Sequence, residues 1–320
     1  MENKPLPPHQ LPEKNRCLTN NWCGGLFKPG HTACAGCGQA IAARLVVEAA
    51  GPKTIIANNT GCLEVFTTRY PETAWGVPWI HSLFENSAAV ASGIEAALKY
   101  LGKKDSTNVI AQGGDGGTAD IGLQALSGML ERGHDILYIC YDNEAYENTG
   151  IQRSGLTPYG ASTTTSPPGN NSIGNILPKK PMPEIAAAHG IPFVAVASVG
   201  FIPDLQRKVK KALSIKGPKY IQIHVPCPLG WRHEVNQTFQ VAKLAVETGL
   251  YPLIEYEFGV LSSRRQISPK PVEEYLKAQG RFKHLLNNPE SIKVIQEIAD
   301  YNIKKYGLKG AALDTKPTNV

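Results

Sequence analysis

The sequence predicts an α/β fold: a doubly wound, mainly parallel sheet with a helical C-terminal extension. Two observations carry this. Short apolar runs at 54–58, 108–112, 136–141, 193–197 and 220–225 alternate with helical patterns. Strands apolar along their whole length belong in a sheet covered on both faces, and alternation with helices makes that sheet parallel. Glycine also stands just past one helical pattern after another, at Gly51, Gly102, Gly133, Gly190 and Gly217. There its left-handed conformation caps a helix at little cost.

Residues 1–30, rich in Pro, Asn and Gly, read as an irregular arm. Residues 39–50 (QAIAARLVVEAA) give the first helix and 54–58 (TIIAN) the first strand. An Ala-rich helix over 85–101 leads to strand 108–112, and a helix over 121–132 leads to strand 136–141. Residues 149–182, crowded with Ser, Thr, Pro, Gly and Asn, make a loop long enough to be functional or disordered. Helix 183–189, strand 193–197, helix 203–216 and strand 220–225 complete a domain over 31–258. The charged stretch 259–320 holds helical patterns at 271–285 and 289–305 and reads as an extension that packs on partner subunits. In such sheets ligands bind beyond the carboxyl ends of the strands.

Composition narrows the function. The chain has 320 residues, 42% of them hydrophobic and 19% charged, with a net charge of +6. The low charged fraction suggests a surface partly covered by other subunits. No long basic block exists, so nucleic-acid binding gains no support. The run Arg207-Lys208-Val209-Lys210-Lys211 reads as a solvated helix face. The positive sign suits a weak attraction to an acidic protein such as a ferredoxin. Neither a signal peptide nor a run of about 18 apolar residues is visible, so a cytoplasmic protein without a membrane span is expected. Seven cysteines in a reducing compartment then read as ligands or buried thiols.

Strand 108–112 runs directly into Gly113-Gly114-Asp115-Gly116-Gly117-Thr118, where a helix begins. Glycines allow close approach of backbone to phosphate, and a helix start offers free N–H groups. Without a Walker lysine, a metal is the natural counter-charge. Asn143 follows Asp115 by 28 residues, one helix and one strand later, so both reach the same sheet edge. Asp115, the Asn143 amide oxygen and one nearby carbonyl, with two diphosphate oxygens and a water, make the six oxygens that Mg²⁺ takes. The pattern resembles the diphosphate-binding motif of thiamine-diphosphate enzymes.

A second constellation is sulfur. Cys34 and Cys37 form a CxxC before the first helix, Cys62 follows the first strand, and Cys227 follows the last core strand. The fold brings strand ends together, and four thiolates suit either Zn²⁺ or a [4Fe–4S] cluster. Spacing leaves both open; thiamine chemistry next to a one-electron acceptor favours the cluster. Cys140, inside an apolar strand, reads as core, and Cys17 and Cys23 in the arm are not assigned as ligands. Two rival readings keep part of the pattern. A non-redox thiamine decarboxylase or synthase leaves the cysteines without a task, and a zinc-stapled, non-catalytic assembly subunit leaves the magnesium pair unexplained.

Segments 31–38 (HTACAGCG), 60–64 (TGCLE), 79–92 (WIHSLFENSAAVAS), 114–124 (GDGGTADIGLQ), 140–152 (CYDNEAYENTGIQ) and 225–231 (VPCPLGW) resemble the beta subunit of pyruvate:ferredoxin oxidoreductase. The likeness spans roughly residues 27–285. It implies a thiamine diphosphate-binding domain of the type that holds the diphosphate. It implies Mg²⁺ bound by the side chains of Asp115 and Asn143 and the carbonyl of Ala145, with Gly61, Gly114, Gly116 and Gly117 against the cofactor. Cys34, Cys37, Cys62 and Cys227 would hold a [4Fe–4S] cluster, and Asn148 would lie near substrate and thiazolium. His81, opening an Ala-rich helix, is a candidate proton carrier, and His31 beside the CxxC is a candidate for supporting the ligands. Implied partners are an alpha subunit that completes the thiamine site, gamma and delta-type subunits, coenzyme A, a 2-oxoacid, and ferredoxin or another acceptor. Thr32 and Ser162 depart from the pyruvate pattern and leave room for a larger acyl group. Pyruvate, an aromatic oxoacid such as phenylglyoxylate, a branched-chain oxoacid and oxalate therefore all stand as substrates, with NAD as a possible final acceptor.

Overall fold

The structure is a computed structural model that describes residues 25–69 and 71–310; Cys17 and Cys23 lie outside the described residues. The first half runs α1 (Gly38–Ala50), β1 (Thr54–Asn58), α2 (Cys62–Thr67), β2 (Trp79–His81), α3 (Ser87–Tyr100), β3 (Asn108–Gly114), α4 (Leu123–Glu131) and β4 (Leu137–Asp142). A small hairpin of β5 (Pro168–Gly169) and β6 (Ser172–Ile173) lies in the long loop. Then come α5 (Met182–Ala187), β7 (Phe193–Ser198), α6 (Ile202–Ser214), β8 (Lys219–His224), α7 (Pro228–Trp231) and α8 (Thr238–Glu247). The chain ends with β9 (Ile254–Glu257), β10 (Val260–Arg264), α9 (Val272–Lys277) and α10 (Pro289–Tyr306).

Eight strands form one sheet in the order β10-β9-β7-β8-β4-β3-β1-β2. All neighbours are parallel except β9 on β7 and β10 on β9. After β4 the chain crosses to the far side of that strand, where β8 and β7 add. This reversal leaves the ends of β3, β4 and β8 side by side, where such sheets bind ligands. β4, β7 and β8 are buried along their whole lengths, which explains their unbroken apolar runs. Helices α1 and α6 cover one face over Ile56, Ile110, Ile139 and Ile221. Helices α3, α4 and α8 cover the other over Ala57, Ala111, Tyr138 and Tyr220.

The stretch after Gly259 joins this core. Val272, Tyr275, Leu276, Phe282, Leu285, Ile295 and Ala299 pack in the same cluster as the sheet residues of the second face. The sequence boundary at 258/259 falls inside the β9–β10 hairpin, paired at Val260 and Glu257. The basic run on α6 also differs from the solvated face expected of it. Lys208 is buried, donating to the Val196 carbonyl at 2.7 Å and to Asp204 at 2.6 Å. Arg207 and Lys211 reach Glu255 on β9 at 2.5 and 2.7 Å. The run therefore straps α6 to the antiparallel edge. Helix α4 starts at Leu123 because residues 116–120 first wind as a wider π turn. No helix among the described residues is long and apolar enough to cross a membrane.

Asn59, one residue past β1, locks the strand ends together. Its Nδ2 donates to the Gly117 carbonyl (3.1 Å) and the Tyr138 hydroxyl (3.2 Å), and its Oδ1 accepts from Ser87 N (2.8 Å). All of these groups are buried. Asn59→Ala leaves a buried N–H and a buried carbonyl unpaired, at about 1–3 kcal/mol each. The expected outcome is a thermal midpoint lowered by several degrees; a midpoint within one degree of the parent would mean that water replaces the amide.

Candidate functional site

Asp115 begins the turn after β3, and Asn143 and Ala145 follow β4. The registers Gly113↔Cys140 and Gly114↔Tyr141 bring the two strand ends abreast. Asp115 is buried, and Ser154 Oγ donates to its Oδ2. That leaves Oδ1 to face the Asn143 amide. As oriented, the amide presents its oxygen to Asp115 Oδ1 at 2.7 Å and to the Ala145 carbonyl oxygen at 2.9 Å. Turning the amide over would give two hydrogen bonds from Nδ2. A cation among the oxygens satisfies the unturned arrangement. Octahedral Mg²⁺ with bonds of about 2.1 Å sets adjacent ligand oxygens about 3 Å apart. Charge points the same way: burial, then the Asp142 carboxylate, push the Asp115 carboxyl well above its ordinary range. A bound cation reverses both effects. The residues present fit Mg²⁺.

The glycines of this edge divide by what surrounds them. A Cβ on Gly61 or Gly114 would meet nothing within 4 Å. A Cβ on Gly116 would strike the Tyr146 ring at 2.3 Å, and one on Gly117 would crowd the Phe84 carbonyl at 3.1 Å. Gly61 and Gly114 thus border open space, which in Gly114 adjoins Asp115 and can serve as a cradle, while Gly116 and Gly117 are needed for packing.

The CxxC turn docks on the segment after β8. Gly38 N donates to the Pro226 carbonyl (3.1 Å), and Thr238 Oγ1 donates to the Gly36 carbonyl (2.6 Å). Gly36 holds φ +72, and a Cβ there would meet the Val235 carbonyl at 2.3 Å, so glycine is required. This docking brings Cys34 and Cys37 toward Cys227, and Cys62 enters from the start of α2. Burial pushes the Cys62 thiol up to about 12, and Cys37, Glu147 and Cys34 add to the rise. Burial and Glu147 likewise raise Cys227, with Cys37 and Cys62 contributing. The four thiols therefore share one corner. Among the described residues, no three His, Cys, Asp or Glu side chains close in on a single-ion site. A tetrahedral zinc would draw sulfurs to about 3.8 Å, from Zn–S bonds of about 2.3 Å.

Asn148 is exposed, and its amide reaches the Cys62 thiol. It follows the oxygen triad in sequence by three residues. His81 ends β2, with its Nε2 2.6 Å from Thr60 Oγ1. His31 lies against Phe27 at 5.1 Å and Phe66 at 6.2 Å, and its pKa is lowered by burial and by Arg44. Cys140 is fully buried in the core. Trp75 and Trp231 are buried, and Trp231 also hydrogen-bonds the Asn143 carbonyl.

Sequence reasoning missed Glu147. Its carboxylate is buried, and burial drives its pKa up to about 7 against the pull of Arg281 and of the Cys227 thiol beside it. Its place directly before Asn148 was the available signal. Ser154 was missed as well; it sits in the long loop, where no spacing ties it to Asp115.

Residues 59–223 match the family of thiamine pyrophosphate enzymes, C-terminal TPP binding domain. Subunit PorB of the pyruvate synthase from Methanosarcina barkeri is 58% identical over 284 residues, covering 88% of this chain and 96% of the relative. The chain belongs to the beta-subunit family of the 2-oxoacid:acceptor oxidoreductases. Within that family, the ketoisovalerate oxidoreductase subunit VorB of Pyrococcus abyssi is 50% identical over 278 residues, covering 85% of this chain and 89% of the relative. The fold is also that of a 2-oxoglutarate:ferredoxin oxidoreductase from Magnetococcus marinus. That likeness has a TM-score of 0.54 and 22% identity and covers 68% of this chain and 79% of that one.

The two kinds of glycine predict opposite phenotypes in this oxidoreductase subunit. Gly114→Ala keeps the parent thermal midpoint without cofactor but loses most thiamine diphosphate affinity, measured by titration calorimetry. Gly116→Ala lowers the midpoint, because overpacking typically costs about 1–3 kcal/mol. Equal affinity loss in both variants would contradict the assignment of Gly114 to the cradle.

Proposed function

We propose that this beta subunit carries the diphosphate half of a thiamine site for oxidative decarboxylation of a 2-oxoacid to an acyl-CoA, with electrons leaving through a [4Fe–4S] cluster to ferredoxin. The observation that carries this reading is the convergence of the Asp115, Asn143 and Ala145 oxygens after β3 and β4, with Glu147 acting on both Asp115 and the thiols of Cys62 and Cys227. Pyruvate is the first candidate substrate, since the 58%-identical relative is a pyruvate synthase subunit. A branched-chain oxoacid is the second, from the ketoisovalerate relative at 50%.

In this reading Asp115, Asn143 and the Ala145 carbonyl hold Mg²⁺, and Gly61 and Gly114 admit the diphosphate. Cys34, Cys37, Cys62 and Cys227 hold the cluster; a one-electron acceptor beside thiamine chemistry is what favours a cluster over zinc. When bound, thiamine diphosphate supplies the nucleophile for decarboxylation and the cluster supplies a one-electron acceptor. The chain's own residues bind and orient. Asn148, exposed and hydrogen-bonded to the Cys62 thiol, is the polar group offered to substrate. His81 has Nε2 engaged with Thr60, so a proton exchanged with substrate passes through Nδ1. Exposed Ile80, Leu83 and Ile121 beside the cofactor edge, and Leu229, Val235 and Phe239 beside the thiols, support coverage by alpha, gamma and delta-type subunits. Free thiolate ligands need a reducing compartment, which supports the cytoplasmic expectation.

The test is anaerobic purification of the assembled complex, followed by iron and thiamine analysis and viologen reduction with coenzyme A. The oxoacids are pyruvate, 2-oxoisovalerate, phenylglyoxylate and oxalate. Pyruvate-dependent reduction is expected, and Cys62→Ser should lose iron while retaining thiamine diphosphate. A preparation replete in iron and thiamine that is reduced by none of these acids would overturn the proposal. Preference for 2-oxoisovalerate would overturn only the choice of substrate.

A further inference from the structure

Between Asn143 and Ala145 stands Glu144, the one residue of that turn with a left-handed backbone, at φ 67. A non-glycine residue held there costs roughly 1 kcal/mol or more. The reversal turns the Glu144 side chain away from its neighbours and into the core. Its Oε1 accepts from Lys179 Nζ at 2.5 Å and its Oε2 from Arg281 Nη2 at 2.5 Å. Thr157 Oγ1 also donates to the Glu144 carbonyl at 2.6 Å.

Arg281 belongs to the C-terminal stretch and is itself buried. Beyond Glu144, it donates to the Tyr275 hydroxyl (3.1 Å) and to Gln279 Oε1 (2.9 Å). Its guanidinium carbon lies 3.6 Å from the Trp231 ring centroid. Trp231 Nε1 in turn donates to the Asn143 carbonyl at 2.8 Å. One guanidinium thus grips two consecutive residues of the turn from behind, Glu144 directly and Asn143 through the indole.

We propose that Arg281 is a positioning residue of the cofactor site: with Lys179 it holds Glu144 reversed, and through Trp231 it holds Asn143, so that the Asn143 amide and Ala145 carbonyl keep facing the cation. The inference rests on the reading that this turn holds Mg²⁺ and diphosphate. It makes the C-terminal segment part of that site. Lysine cannot replace Arg281 fully, because the role needs a flat group that stacks while donating in several directions.

The experiment uses the assembled enzyme, stripped of metal and thiamine diphosphate and titrated with Mg²⁺ at fixed cofactor. Bound thiamine diphosphate and viologen reduction are both followed. Arg281→Lys and Glu144→Gln should each raise the Mg²⁺ requirement by about tenfold or more. Activity should return as Mg²⁺ is raised, and iron content should stay at the parent level. Asp115→Asn is the reference and should abolish Mg²⁺-dependent binding. If Asp115→Asn does so while both other variants keep the parent Mg²⁺ requirement, the inference fails and the reading beneath it stands. An unaltered Mg²⁺ dependence in Asp115→Asn overturns that reading itself. Loss of iron, thiamine diphosphate and thermal stability together, at any Mg²⁺ concentration, makes Arg281 a fold residue and overturns the inference.

Discussion

Acceptor oxygens held within 3 Å of one another repel unless a positive charge stands between them. At the end of β3 and β4 the Asn143 amide oxygen, in its unturned orientation, is in that position toward Asp115 Oδ1 and toward the Ala145 carbonyl oxygen. Everything around them resists their separation. Ser154 fixes the other Asp115 oxygen, Trp231 fixes the Asn143 peptide, and Glu144 anchors the peptide that leads to Ala145. A cation at this point would take the place of the hydrogen bonds that a turned Asn143 amide would make, which is what the proposed function asks of these oxygens.

The sheet topology makes the arrangement possible. Parallel strands β3 and β4 end abreast, and the reversal after β4 sets β8 at its other side. The end of β8 carries the chain to Cys227 and then to Trp231, so a single short helix ties the sulfur corner to the oxygen triad. Buried charges behind the triad are balanced in pairs. Asp142 accepts from Lys179 (3.0 Å), Gln222 (2.8 Å) and Tyr251 (2.9 Å), and Glu144 takes Lys179 and Arg281. A buried carboxylate without such partners would be neutral.

Much of this was legible in the sequence, for definite reasons. Strands buried on both faces leave unbroken apolar runs, and these gave five of the core strands. The spacing from Asp115 to Asn143 spans one helix and one strand, so their meeting follows from the fold. Cys62 and Cys227 each follow a strand, and the edge rule brings them toward the CxxC. What stayed hidden depends on tertiary structure. The direction of Glu144 is set by a positive φ that no propensity announces. Arg281 lies far along the chain in a stretch whose charge reads as surface. Lys208 reads as solvated until Asp204 and the Val196 carbonyl are seen around its ammonium. β2 has three residues and β10 is largely exposed, so neither leaves a run to read.

The measurement that bears most directly on the oxygen triad is anomalous diffraction from the assembled enzyme with Mn²⁺ in place of Mg²⁺ and thiamine diphosphate present. One manganese peak coordinated by Asp115 Oδ1, Asn143 Oδ1 and the Ala145 carbonyl oxygen is expected. A structure with cofactor bound, no peak there, and the Asn143 amide turned so that Nδ2 donates to Asp115 would contradict it.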